Sequence, residues 1–411
     1  MGYRILALLR LIKRCTITGP AYLWPYRRTI WFLLRTRGAR TAYVFILAKL
    51  FARGEWSGIG ILDPLWQAFP RLSPRPFSSY PYHFEIEITT RCDLRCIMCE
   101  HTHWERDRYT DVDMSFEDLK KIVDQFPNLI WINVTGEGSG YLNKDFPKIL
   151  RFLKSKPVFV TFVDSFTALR EDILRELIEI GVDKITVSID GATKETYEVI
   201  RIGASFDKML GNVRRILQLK AELNSPVPEI CFRYTFMTIN AHEMIQFVEL
   251  IHSLGHKSLL GDQPLIEFVG LLEFESTKHL LHEPSNQEVD AVNKRARELG
   301  VKVQWDHPSH QAVLKPPMRH CVVWSEPYIM MGGFVVSCCA VLMSNGRNFL
   351  RKHSFGNVFE SCVKDIWDSP RYKRFREMVT NDTGQVPLLC EGCRAYDTTV
   401  RENRYGVSRW I

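Results

Sequence analysis

The chain has 411 residues, of which 45% are hydrophobic and 12% aromatic, enough apolar material for one large core and a smaller one. Eleven cysteines are too few for a disulfide scaffold of this length, and several fall in closely spaced groups, which favours metal binding in a reducing compartment over secretion. The net charge of +7 comes from the N-terminus, because residues 1–54 carry eleven Lys or Arg and no acid, against 43 basic and 47 acidic residues elsewhere.

Residues 1–75 are predicted to form a basic helical extension. Two apolar stripes recur there at helical spacing, namely Ile5, Leu8, Leu9 and Ile12, and Val44, Leu47, Ala48 and Phe51. No stretch reaches the about 20 apolar residues of a membrane span, and Arg10, Lys13 and Arg14 interrupt any signal-peptide core. The extension therefore either caps the next domain or lies on an anionic membrane surface. We expect a cytoplasmic protein, soluble or peripheral at the inner face of the membrane.

Six β-rich runs then alternate with helical patterns. The predicted strands are HFEIEITT, LIWINVT, PVFVTFVD, DKITVSID, EICFRYTFM and LIEFVG, and helices are predicted near 115–126, 145–155, 169–180, 206–222 and 241–254. Such alternation is typical of a parallel sheet covered by helices. The predicted fold class is α/β, with a partial (β/α)6 TIM-like barrel over residues 76–311. Its functional residues should lie at the C-terminal ends of the strands.

Three cysteines, Cys92, Cys96 and Cys99, follow the first predicted strand in CxxxCxxC spacing. Three thiolates suit an iron-sulfur cubane that keeps one iron open to another ligand. The alternative is a structural zinc site completed by a Glu or His side chain from residues 100–103.

Three motifs make the chain resemble the radical S-adenosylmethionine (SAM) superfamily, in its branch with a C-terminal SPASM-type cluster domain. They are the CxxxCxxC run, TGEG at residues 135–138, which replaces the family's GGEP, and VSIDGATKETYEVIR at residues 187–201. The resemblance covers roughly residues 83–400 and implies a 4Fe-4S cluster on the three cysteines. It also implies SAM contacts from Met98 to the adenine, Gly136 and Glu137 to the amino group, Ser188 to the ribose and Arg201 to the carboxylate.

The same resemblance implies an activity. The cluster would cleave SAM reductively to a 5'-deoxyadenosyl radical, which abstracts hydrogen from a substrate that the protein positions. A reductant such as flavodoxin or ferredoxin would supply the electron.

Residues 312–411 are predicted to form a small α+β domain with a second metal site. Its cysteines match the order of a SPASM-type domain at Cys321, Cys338, Cys390 and Cys393. Gly333 would allow the turn of a hairpin that carries Cys338. The resemblance implies one auxiliary 4Fe-4S cluster; a four-thiolate zinc knot has the same signature, and Cys339 is an alternative ligand to Cys338.

An auxiliary cluster with four cysteine ligands has no open iron and is suited to accept an electron. We therefore expect net oxidation or bond formation on a small or amphiphilic substrate, lipid-linked if the extension binds membrane. A redox-neutral reaction, with Cys231 returning a hydrogen atom, is one alternative, and a peptide-modifying maturase is another. Residues 1–75 lack the strand alternation of the winged-helix module that such maturases often carry. No nucleic-acid partner is expected, because no such motif accompanies the basic extension.

Overall fold

The computed structural model describes residues 81–380 except 82, 128, 130, 157, 257–264, 272–275, 307–325 and 344–345, together with residues 387–390 and five positions between 30 and 42. Nearly all of the predicted extension, the boundary at 311–312, Cys321 and Cys393 lie outside the described residues. The membrane-surface and lipid-linked hypotheses depend on that extension. Within the described residues, no helix combines the length and hydropathy that crossing a bilayer requires.

A ten-stranded sheet forms the centre of the molecule. Its parallel strands are β1 (His83–Ile86), β3 (Trp131–Asn133), β4 (Phe159–Asp164), β5 (Lys184–Ser188), β7 (Glu229–Phe236), β8 (Ile266–Gly270), β9 (Val303–Asp306) and β10 (Tyr328–Met330). Two antiparallel strands follow at one edge, β11 (Phe334–Val336) and β12 (Gly356–Asn357), and a separate ribbon pairs β2 (Arg95–Cys96) with β6 (Arg201–Ile202). The strand order is β12, β11, β10, β1, β3, β4, β5, β7, β8, β9. In the described part of the chain no pairing joins the two edges, so the barrel is partial.

Ten helices accompany these strands in the described residues. They are α1 (Phe116–Val123), α2 (Phe146–Lys154), α3 (Glu171–Ile180), α4 (Lys194–Ile200), α5 (Phe206–Glu222), α6 (Met244–Ser253), α7 (Asn286–Glu298), α8 (Arg347–Lys352), α9 (Val363–Asp368) and α10 (Pro370–Thr380). All six predicted strands and all five predicted helices form. The predicted α/β class with a partial barrel is therefore confirmed.

Side-chain capping fixes where several helices begin. The hydroxyl oxygens of Ser115, Thr193, Ser205 and Ser285 accept from backbone N–H groups three residues later. At Ser285 the Glu288 carboxylate also accepts from the Ser285 N–H, which completes a capping box. Each cap contributes about 1 kcal/mol to the free energy of unfolding.

The strands separate an apolar face from a polar one. Successive side chains along a strand point to opposite faces, so Phe84 and Ile86 pack under the helices in the main core. Glu85 lies on the other, inward face, where the Lys184 Nζ is 3.0 Å from a Glu267 carboxylate oxygen. The inside of the partial barrel is therefore charged and polar rather than filled by an apolar core.

The sheet continues beyond the six predicted strands. The helix α7 buries only Val289, Val292 and Ala296, and the strand β9 after it has four residues. The hydrophobic periodicity that would predict this helix and strand from the sequence is therefore weak. The three-residue strand β10 joins the sheet by parallel pairing with β1, in the register Glu85↔Tyr328. The C-terminal region is thus directly attached to the barrel's first strand.

The predicted hairpin before Cys338 is confirmed. The strands β10 and β11 pair antiparallel, with Met330 opposite Phe334. Gly333 adopts a φ of +85° in the turn, and a Cβ there would lie 2.5 Å from the Phe359 ring. Glycine is required at this position by both conformation and space.

Candidate active site

The CxxxCxxC motif lies on the loop at the C-terminal end of β1. Its middle cysteine is in β2, where Cys96 pairs with Arg201 of β6. The Cys99 N–H donates to the Cys96 carbonyl at 3.1 Å. Cys92, Cys96 and Cys99 are free thiols close enough to influence one another's ionisation. The structure therefore brings the three predicted cluster ligands together.

The structure describes both histidines named in the zinc alternative. His101 Nε2 is 2.9 Å from the Thr90 carbonyl oxygen, its Nδ1 has no hydrogen-bond partner among the described residues, and His103 is exposed.

Desolvation keeps these thiols protonated in the absence of metal. It raises the pKa of Cys96 to about 11, although the Arg201 guanidinium acts in the opposite direction. Desolvation, and next the Glu137 carboxylate, raise the pKa of Cys99 well above its usual value. Metal binding needs thiolates, so loading this site with iron releases protons.

A buried ion pair places Arg201 beside the cysteines. Its Nη2 is 2.5 Å from an Asp190 carboxylate oxygen, and its Nη1 is 4.0 Å from the Cys96 sulfur. The other Asp190 oxygen accepts from the Thr235 N–H at 2.8 Å. The Arg201 Nε has no hydrogen-bond partner in the described part of the chain. The guanidinium thus retains a donor for a ligand such as a carboxylate.

The TGEG turn approaches the cysteine loop so closely that its glycines are required. A Cβ on Gly136 would lie 2.7 Å from the Glu87 Cγ, and one on Gly138 would lie 2.6 Å from the Thr89 carbonyl oxygen. Next to the turn, the Ser139 hydroxyl is 3.3 Å from the Cys92 sulfur. Gly138, which stands where the family pattern has proline, therefore serves the packing of these two loops.

We expect Gly138→Ala to lower the thermal midpoint and to reduce the iron content of the protein, because the added methyl group would push the two loops apart. The matched control is Gly211→Ala in α5, where nothing lies within 4 Å of an added Cβ. That change should stabilise the protein by about 0.5–1 kcal/mol, since alanine is the better helix former. Equal behaviour of the two variants in a thermal melt and an iron assay would contradict this role of Gly138.

Glu137 lies in a desolvated acidic pocket beside Cys99. Its side chain is 6% exposed, one carboxylate oxygen accepts from Arg347 at 3.2 Å, and the other has no hydrogen-bond partner among the described residues. Desolvation raises the pKa of Glu137 well above its usual value, opposed by Arg347. A buried carboxylate oxygen without a donor is costly. It suits a cationic ligand such as an ammonium group.

The remaining predicted SAM contacts lie around the same rim. Ser188 ends β5 and is half-buried, opposite Arg233 of β7. Met98 is half-buried and packs against a small apolar cluster that contains Ile200 and Met237. The structure thus brings both residues to the end of the sheet that carries the cysteines.

Sequence reasoning missed the helix α8. Its Arg347, Asn348 and Arg351 contact Glu87, Glu105 and Asp107 respectively. These partners are more than 240 residues away in the chain, and no motif marks a lone arginine for such a role. Residues that vary together in an alignment of the family would reveal such contacts.

The second cysteine group is partly described. Cys338 and Cys390 are both buried, and Cys338 shares an apolar cluster with Leu389. The Cys339 thiol instead contacts the Glu85 carboxyl group on β1.

Comparison with known proteins agrees with this arrangement. Residues 86–251 match the radical SAM superfamily, and residues 321–394 match the SPASM iron-sulfur cluster-binding domain. A tungsten-containing aldehyde ferredoxin oxidoreductase cofactor-modifying protein of Pyrococcus furiosus is 26% identical over 310 residues, which covers 72% of this chain and 83% of the relative.

Two further similarities point the same way. A probable GTP 3',8-cyclase of Saccharolobus islandicus is 24% identical over 231 residues, covering 54% of this chain and 70% of that protein. The structure of Streptococcus suis SuiB bound to S-adenosylmethionine superimposes with a TM-score of 0.57 at 13% identity, covering 85% of this chain and 83% of SuiB. The chain thus carries a radical SAM domain and a SPASM domain, and these imply SAM, a 4Fe-4S cluster and an auxiliary iron-sulfur cluster as its cofactors.

Proposed function

We propose that this protein is an enzyme in which Cys92, Cys96 and Cys99 hold the SAM-binding 4Fe-4S cluster. The observation that carries the proposal is the convergence of the three thiols at the C-terminal end of β1, beside a buried arginine and a desolvated glutamate. When bound, the cluster and SAM supply the one-electron cleavage of a carbon-sulfur bond and the removal of hydrogen from a substrate.

The chain's own residues would bind and orient SAM. Arg201 has the planar donor geometry that suits a carboxylate, and its Nε is unpartnered among the described residues. Glu137 offers one unpartnered carboxylate oxygen to the amino group. Ser188 and Met98 lie at the same rim and would contact the ribose and the adenine. In this arrangement the carboxylate of the methionyl group meets Arg201, and its amino group meets Glu137.

The substrate that the site supports best is a small molecule. The inward face of the partial barrel carries ion pairs that link Lys184 and Arg233 to Glu267, at 3.0 and 2.9 Å. Such a surface suits a polar ligand rather than an apolar chain. The names of two relatives refer to a cofactor and to GTP. The peptide-modifying alternative has fold similarity to SuiB in its favour, and at 13% identity that similarity shows the fold alone.

The proposed reaction is a net oxidation or bond formation, for which an auxiliary cluster would supply an electron acceptor. Cys321, Cys338, Cys390 and Cys393 would hold it. Because the Cys339 thiol contacts Glu85, we favour Cys338 over Cys339 as the cluster ligand.

We expect Cys338→Ala or Cys390→Ala to lose about four irons per chain while SAM cleavage continues without product formation. The matched control is Cys339→Ala, which should keep the full iron content because its thiol contacts Glu85. Iron and zinc analysis of the three proteins, with 5'-deoxyadenosine quantified, measures this. Iron loss in Cys339→Ala alone, or tightly bound zinc in the wild type, would contradict the proposal.

A further inference from the structure

An arginine from the C-terminal region lies inside the acidic pocket beside Cys99. Arg347, the first residue of α8, donates from Nη1 to Glu137 at 3.2 Å and from Nη2 to Glu87. Its guanidinium also lies over the Trp104 ring, 4.0 Å from the ring centre. The arginine side chain is 7% exposed, and Glu87 is fully buried. An arginine that bonds to two carboxylates and stacks on an indole ring is held in one orientation.

The pocket holds more carboxylates than Arg347 can satisfy. Glu100, next to the last cysteine, contributes a third carboxyl group, which contacts Glu137. One oxygen each of Glu87, Glu100 and Glu137 has no hydrogen-bond partner in the part of the chain that the structure describes. Buried acceptors of this kind require a donor. The pocket therefore has three carboxyl groups and one guanidinium, a composition that suits a further cationic group.

We propose that Arg347 is a positioning residue of the SAM site. It donates to one carboxylate oxygen of Glu137 and to one of Glu87, and so fixes both side chains. The second Glu137 oxygen, together with Glu100, then accepts from the α-ammonium group of SAM. The C-terminal region thereby completes the SAM pocket of the barrel. This inference rests on the proposed function, because it takes SAM as the ligand.

The helix α8 also provides a control residue, Arg351, for an arginine whose role is only structural. Arg351, one turn beyond Arg347, pairs with Asp107 and lies 4.6 Å from the centre of the Tyr109 ring. It therefore joins the same loop to α8 with similar chemistry, but it does not bond to Glu137. Loss of either arginine should loosen this junction, and only loss of Arg347 should alter recognition of the ammonium group.

The test compares iron-loaded wild type, Arg347→Met, Arg347→Lys and Arg351→Met. Dissociation constants are measured for SAM and for a SAM analogue without the α-amino group, together with iron content and the electron paramagnetic resonance spectrum of the reduced cluster with and without SAM. The double variant Arg347→Met/Glu87→Gln replaces Arg347→Met if that protein does not fold, because it removes the unpaired buried charge.

We expect Arg347→Met to bind SAM about 10- to 100-fold more weakly, with little change for the analogue and with the iron content of the wild type. Its SAM-induced spectral change should shrink, and Arg347→Lys should recover part of the affinity. Arg351→Met should bind both ligands within about twofold of the wild type. Equal weakening for SAM and the analogue, or none for either, would overturn the proposal for Arg347. Failure of iron-loaded wild type to bind SAM at all would instead overturn the proposed function.

Discussion

Replacement of Cys92, Cys96 and Cys99 by alanine is expected to abolish SAM cleavage and to remove about four irons per chain. The reason is that the three thiols converge at one edge of the sheet, on the loop that follows β1. Iron analysis and quantification of 5'-deoxyadenosine after anaerobic reduction measure both effects.

The matched control for this loss is Cys362→Ala. Cys362 is an exposed free thiol that precedes α9, between Cys338 and Cys390 in the sequence. Its replacement should leave iron content and SAM cleavage at wild-type levels. Production of 5'-deoxyadenosine by the triple alanine variant would show that the cluster is held elsewhere.

Arg201→Met is expected to lower the free energy of unfolding by about 3–5 kcal/mol, because it leaves Asp190 buried without its partner. Apoprotein should be used for the urea titration, so that the loss of a cluster does not contribute. The double variant Arg201→Met/Asp190→Asn should recover a large part of the loss, since it removes the uncompensated charge.

A surface pair provides the comparison for Arg201. Lys194 and Asp207 form an ion pair with side chains 51% and 72% exposed, so Lys194→Met should change the free energy of unfolding by less than about 1 kcal/mol. A loss for Arg201→Met as small as that for Lys194→Met would mean that Asp190 is solvated or otherwise paired.

Local patterns were sufficient to predict most of the barrel. The run DKITVSID alternates apolar and polar residues and gives β5, with Ile185 and Val187 buried under the helices and Ser188 at the rim. The family resemblance of the cysteine spacing and the VSID run implies that Cys96 and Arg201 share one site, and the pairing of β2 with β6 agrees with that. In each case a few neighbouring residues carry the signal.

Long-range contacts could not be predicted from the sequence, because no local pattern encodes them. The strand β10 has three residues, and its partner in β1 is more than 240 residues earlier, as in the register Ile86↔Ile329. Arg347 has no neighbours that form a motif, yet it reaches Glu137 through α8. The contact of the Cys339 thiol with Glu85 is likewise long-range, and the spacing of the cysteines does not determine it.

The most direct measurement is made on wild-type protein reconstituted with iron and sulfide under anaerobic conditions. It is incubated with SAM and dithionite, and 5'-deoxyadenosine and methionine are quantified against a reaction without reductant. We expect about eight irons per chain and equal amounts of the two products, formed only with reductant. A protein that carries this iron but forms neither product would contradict its assignment as a SAM-cleaving enzyme.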